Sequence, residues 1–244
     1  MNLLLLAGTS EARDIAIQLA TMPGVTATAS LAGTTRTPDR QAIATRVGGF
    51  GGDTGFQRYL HEQQIHAVLD ATHPYAVRIS DRTARICAEL ALPHLLLLRP
   101  PWLPVAGDRW VDVDAEEDAA TVIPGGARVF VATGPQTVER YANMGGRELI
   151  VRRIDPADSP FPLPGGRFLD GRGPFTEAGE TALFGQLGIN WLVTRNAGGA
   201  ASRPKLTAAR TLGLPVAMIR RPDPPDCARV ADVAAALNWV RALT

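Results

Sequence analysis

Residues 70–76 read Asp-Ala-Thr-His-Pro-Tyr-Ala and follow an apolar run, Ile-His-Ala-Val-Leu, at 65–69. A carboxylate, a hydroxyl, an imidazole and a phenol around one proline allow three readings. The cluster can move protons, it can hydrogen-bond a ligand at a strand end, or it can be a strand end turned to water. Pro74 sets φ for the start of a helix and pushes His73 toward extended backbone.

Five further stretches could meet a ligand, four of them an anion. Leu-Ala-Gly-Thr-Ser-Glu-Ala-Arg at 6–13 reads as a strand end, a glycine turn at Gly8 and a helix opened by Thr9 or Ser10. A helix amino end offers free N–H groups and partial positive charge, which suit a phosphate, although a plain N-cap explains the same residues. The next strand ends in Ser-Leu-Ala-Gly-Thr-Thr-Arg-Thr at 30–37. It has no carboxylate for a ribose 2′-hydroxyl; Ser30, Gly33, Thr34, Thr35 and Arg36 suit a 2′-phosphate, so a dinucleotide here would be NADP, although a surface loop with one solvated Arg explains the same residues. Val-Gly-Gly-Phe-Gly-Gly at 47–52, with Gly49 and Phe50, lets backbone approach a flat group or simply turns sharply. In the second half, Val-Ala-Thr-Gly at 131–134 ends another strand with a glycine turn. Arg195, Asn196, Gly198, Gly199 and Lys205 then bridge a strand to a helix and offer the fork, amide and ammonium that carboxylates or phosphates need; the rival reading is a helix whose exposed face carries Arg and Lys. Lys205 is the single lysine of the chain.

Elements must place these groups. Apolar runs at 3–6, 25–31, 67–69 and 95–98 read as strands, with helical periodicity over 11–21, 54–63 and 77–91. The proline-dense stretch 99–108 reads as a hinge or linker. The alternation then resumes, with strands at 128–132, 148–152, 191–194 and 216–219 and helices at 135–143, 176–187, 203–212 and 228–242. The stretch 155–175, with five prolines, reads as a functional loop or lid. The expected class is α/β: two Rossmann-like lobes, 1–100 and 101–244, with parallel sheets and an interlobe cleft.

Composition narrows the chemistry. At 244 residues and 45% apolar content the chain can bury a substantial core, and a formal net charge of +1 gives no global field for nucleic acid or an anionic membrane. The apolar opening is too short for a signal or spanning helix, and Cys87 and Cys227 form no metal or redox spacing, so a reduced cytoplasmic chain is expected. His61, His66 and His94 are scattered, and no metal cluster or nucleophilic triad is visible. That inventory suits hydride transfer, where a cofactor carries the chemistry.

The chain resembles the precorrin-6A reductase family of cobalamin biosynthesis. The likeness rests on 6–13, 47–52, 70–76, Leu-Arg-Pro-Pro-Trp at 98–102, Arg-Gly-Pro-Phe at 172–175, the 195–205 stretch and 208–216, in order over nearly the whole chain. It implies an NADPH-dependent reduction of one C=C bond of the tetrapyrrole precorrin-6A, giving precorrin-6B. The lobe at 1–100 would then bind NADPH and the lobe at 101–244 would contribute to the substrate. The acetate and propionate groups of the substrate would meet Arg99, Arg152, Arg153, Arg172, Arg195 and Lys205, with Asn196, Gly198 and Gly199. The cofactor would take Gly8, Thr9, Ser10, Ser30, Gly33, Thr34, Thr35, Arg36, Gly49, Phe50, Asp70 and Thr72. His73, Tyr75 and a bound water are the candidate proton donors. The chain departs from the family in Ala7-Gly8-Thr9, where Gly-Gly-Thr is usual, and in Arg195, where many members carry Lys. A non-catalytic NADPH-sensing or tetrapyrrole-binding module and a two-lobed sugar-transfer enzyme are the rival readings. The sequence sets no oligomeric state.

Overall fold

The computed structural model describes residues 1–33, 41–154, 156 and 160–244. The chain divides into two compact units, Met1–Pro100 with Pro222–Thr244, and Pro101–Arg221. Each is built on a six-stranded sheet whose paired strands are all parallel.

In the first unit the elements run β1 (Asn2–Leu6), α1 (Ser10–Leu19), β2 (Thr26–Leu31), β3 (Ala44–Val47), α2 (Gly52–Glu62), β4 (Ala67–Asp70), α3 (Val77–Glu89) and β5 (His94–Leu97). The spatial order from one edge is β3-β2-β1-β4-β5. Strand β1 shows why the sheet is covered on both faces. Leu3 and Leu5 pack with Ile15, Leu19, Leu69 and Leu95, while Leu4 and Leu6 pack with Phe56, Leu60, Val68 and Ile86. Successive side chains point to opposite faces, so four consecutive leucines serve two cores at once. Each fully buried leucine contributes about 2 kcal/mol.

The second unit follows with β6 (Arg109–Val113), α4 (Ala119–Val122), β7 (Arg128–Val131), a 3₁₀ helix (Pro135–Tyr141), β8 (Glu148–Arg153), β9 (Gly166–Asp170), α5 (Glu177–Gln186), β10 (Trp191–Arg195), α6 (Pro204–Thr211) and β11 (Pro215–Ile219). Its order is β6-β11-β10-β7-β8-β9. Phe130, Ile150, Leu192, Val216 and Met218 from the strands close a core with Phe184, Leu206 and Trp102.

The chain then returns to the first unit. β12 (Arg229–Val230) pairs with β5, and α7 (Val233–Ala242), N-capped by Asp232, buries Ala236, Leu237 and Val240 against the Leu3–Leu5 face. The expected boundary is corrected here: residues 222–244 belong with 1–100, because the sixth strand and last helix of that sheet come from the carboxyl-terminal segment. Three other expectations change. The 155–175 stretch, expected as a functional loop or lid, contains strand β9. The helix expected over 135–143 is 3₁₀, and Trp102 in the expected linker is buried in the second unit.

Candidate functional site

In an open parallel sheet, ligands sit at the carboxyl ends of the strands where the order reverses. In the first unit that point lies between β1 and β4. After β1 the backbone turns at Gly8 with φ +137°, and a Cβ built there would meet nothing within 4 Å. Glycine is thus required by conformation, and the space above the turn is open. Thr9 caps α1, accepting from Ala12 N at 3.1 Å, and its hydroxyl donates to Ala71 O at 2.8 Å. One side chain therefore ties the β1 turn to the β4 turn across the switch point. Ser10 donates to Glu11, whose carboxylate also receives Arg99 at 2.8 Å. Arg99, expected at the substrate, here neutralises a carboxylate in the first turn of α1, inside the first unit. With Glu11 neutralised, an open glycine turn and the free N–H groups of α1 fit the pyrophosphate of a dinucleotide.

The β4 turn is built from within. Asp70 is fully buried and accepts from Thr72 N (2.9 Å), Thr72 Oγ1 (2.7 Å) and Ser80 Oγ (2.6 Å). Its carboxylate is satisfied by its own turn and out of reach of any ligand. The expected cofactor contact of Asp70 is corrected accordingly, and the Thr72 hydroxyl, by donating to Asp70, helps to shape the turn. The clasp presents His73 and Tyr75, both half-buried, with ring centroids 5.6 Å apart. His73 Nδ1 accepts from Tyr75 N at 3.3 Å, which leaves the exchangeable proton of a neutral ring on Nε2. Pro222–Pro225 line the gap beside His73 together with Leu96 and Leu98, and only about 20 Å³ remains there.

At the next strand ends, Ser30 is buried and accepts from Arg46 at 2.7 Å. Gly33 has φ +80° and lies against Val47, where a Cβ would come within 3.1 Å of Cγ1. Thr34, Thr35 and Arg36 lie outside the described residues. Gly49 and Phe50 act through Arg46: the Gly49 carbonyl accepts from it and the Phe50 ring lies under it. Gly55 opens room for the same loop, since a Cβ there would overlap the Phe50 carbonyl.

In the second unit the order reverses between β7 and β10. A cavity of about 330 Å³ opens at this edge, lined by Thr133, Gly134, Arg152, Arg153, Phe175 and Lys205. A larger one, about 630 Å³, lies at the amino ends of β8 and β9, away from the edge where such sheets bind ligands. Arg152 makes a two-pronged pair with buried Glu180 at 2.9 and 2.8 Å and stacks on Phe175. Arg153 pairs with Asp170. Arg195 bonds the buried Glu116 at 2.6 Å, which also receives Arg140. Arg172 is exposed.

Asn196 is corrected. Its Oδ1 accepts from Trp102 N at 2.8 Å and its Nδ2 donates to Trp102 O at 3.0 Å, so the amide fastens the incoming chain rather than a ligand. The Gly199 carbonyl accepts from the Trp102 indole, and Gly198 and Gly199 take φ +68° and +79° to form that turn. Lys205 differs from these groups. It donates to Ser202 O at 2.7 Å and faces the Trp102 ring, and it makes no ion pair among the described residues. Burial pulls its ammonium down to about 8, with Glu180 opposing and Arg152 adding to the shift.

The model for the family described as Precorrin-6x reductase CbiJ/CobK matches residues 2–241. The chain belongs to the precorrin-6x reductase family. Relatives in this family include the precorrin-6A reductase of Rhodococcus erythropolis, 43% identical over 100% of this chain and 98% of that one, and that of Rhodobacter capsulatus, 40% identical over 98% and 95%. The cobalt-precorrin-6A reductase of Priestia megaterium is 29% identical, covering 90% of each chain. A solved precorrin-6A reductase structure superposes with a TM-score of 0.95 at 39% identity, covering 99% of this chain and 96% of that one. Among the described residues, no helix is long and apolar enough to cross a membrane. Ser80, Arg46, Glu116 and Glu180 escaped the sequence reading, and Trp102 entered it only as part of the 98–102 stretch. Only Arg46 left a signal, as the cation beside a glycine–phenylalanine loop.

Proposed function

We propose that the protein reduces one C=C bond of metal-free precorrin-6A with NADPH, giving precorrin-6B. The family match over residues 2–241 carries this reading. The metal-free substrate is supported by the gap between 43% and 40% identity to precorrin-6A reductases and 29% to a cobalt-precorrin-6A reductase.

When bound, the nicotinamide supplies a hydride to the substrate. The chain's own residues hold and protonate. The Gly8 turn and the amino end of α1 receive the pyrophosphate, and Thr9 keeps the β1 and β4 turns in register beneath it. Lys205, the ammonium without a carboxylate partner on the 330 Å³ cavity, binds a substrate carboxylate. Arg195, fixed by Glu116, adds a second cation at the end of β10. His73 Nε2 holds the proton that completes the reduction, its ring set by the Tyr75 amide.

Following NADPH absorbance with purified protein and precorrin-6A tests the reaction. Oxidation that depends on precorrin-6A is expected; binding of both ligands with no NADPH consumed would leave only the non-catalytic module. Faster turnover of the cobalt-containing substrate would overturn the metal-free assignment.

A further inference from the structure

Arg46 and Ser30 are register partners on β3 and β2, side by side near the carboxyl ends of these strands. The guanidinium is held from several directions. Nη1 donates to Ser30 Oγ at 2.7 Å and to Gly48 O at 2.9 Å, and Nη2 donates to Gly49 O at 3.0 Å. Its central carbon stands 3.9 Å from the centroid of Phe50, and Phe50 is itself fixed edge-on by Phe56 and Tyr59. A guanidinium carries five N–H donors, so Nε–H and one Nη2–H remain without a partner among the described residues. Nor does Arg46 form an ion pair among them, whereas Arg82, Arg99, Arg152 and Arg195 each hold a carboxylate.

A half-buried cation pinned by neutral acceptors and a ring is costly unless an anion from outside completes it. Its place says which anion. At the end of the second strand of such a sheet lies the adenosine ribose of a bound dinucleotide, where a carboxylate selects a 2′-hydroxyl and an arginine a 2′-phosphate. Here β2 ends in Ser30 and Leu31, followed by Ala32 and Gly33, with no carboxylate among them.

We propose that Arg46 is the residue that reads the 2′-phosphate of NADPH, its fork aimed by Ser30, Gly48 and Gly49 and its face seated on Phe50. This rests on the reading of the first unit as the dinucleotide site, and it moves the selecting charge from Arg36, where the sequence put it, to β3. A residue that merely fastened the Gly48–Phe50 loop would matter equally to ligands with and without the phosphate.

Calorimetric titration of the full chain with 2′,5′-ADP and with 5′-ADP separates these roles without any turnover. The wild type should prefer 2′,5′-ADP. Arg46→Met should lose about 30-fold in affinity for 2′,5′-ADP and less than about threefold for 5′-ADP. Equal losses for the two nucleotides, or a preference kept in Arg46→Met and lost in Arg36→Met, overturn the assignment. Should Arg46→Met not fold, Arg46→Lys decides. It keeps the charge without the fork, and a selective loss of about three- to tenfold for 2′,5′-ADP supports the assignment while a non-selective loss refutes it. A wild type that binds neither nucleotide removes the dinucleotide reading itself, and the Arg46 assignment with it.

Discussion

Lys205 and Arg46 are held by carbonyls, hydroxyls and rings, and neither has a carboxylate partner among the described residues. Burial of an unpaired cation works against folding, so such groups mark places where stability has been given up for binding. The polar residues that stood out in the sequence behave differently. Asp70, Asn196 and Thr9 fasten turns, and the partners of Asn196 and Thr9 lie 94 and 62 positions away. A hydroxyl at a strand end looks the same in sequence whether it meets a ligand or a distant carbonyl, which is why residue types were legible there and roles were not. At this scale Lys205→Ala should raise the KM for the tetrapyrrole about tenfold or more, the loss of one charge-assisted contact, with little change in the KM for NADPH. The ammonium is protonated below about 8 and loses its charge above it, so kcat/KM for the tetrapyrrole should fall as pH rises through that value. Lys205→Arg, which keeps its charge, should remove that limb; a pH profile unchanged in the variant would place Lys205 outside the binding step. Glu116→Gln should leave Arg195 and Arg140 facing each other without their shared carboxylate. A cost of about 1–2 kcal/mol in a denaturant midpoint is expected, held down by the exposure of Arg140.

Among elements, the inner strands announced themselves and the edges did not. β1, β2, β4, β5, β7, β8, β10 and β11 are flanked on both sides and read as apolar runs. β3, β12, β6 and β9 are the four sheet edges, and none was visible. The reason is solvent: β3 shows no buried residue along its length and β6 only one, so neither needs the hydrophobic run that betrays a central strand. The missed edge β3 carries Arg46, and with it the signal for that residue's place was lost. The turns between elements can be tested directly. Thr9→Ala removes the cap of α1 and the bond to Ala71 together and should cost about 1–2 kcal/mol in urea unfolding, while Thr9→Ser should recover most of it. No loss in the alanine variant would mean that water replaces the hydroxyl at both ends.

Taken whole, the chain leaves the first unit at Pro100 and re-enters it at Pro222, and 101–221 forms a unit continuous in sequence. Ending the chain at Arg221 should strip Ala236, Leu237 and Val240 from the Leu3–Leu5 face and remove β12 from its edge. Three such side chains are worth roughly 4–6 kcal/mol, comparable to the whole stability of a small domain. The truncated protein should lose one thermal transition and keep that of the second unit; two retained transitions would show that 1–100 stands without its last strand and helix. The same connectivity sets an order of events during synthesis. The amino-terminal half emerges from the ribosome first yet lacks its sixth strand until residue 230 has been made, whereas the later-born unit has its full complement by residue 219. The unit begun first is thus the later of the two to close, and its leucine-lined face stays uncovered until Ala236, Leu237 and Val240 have been made.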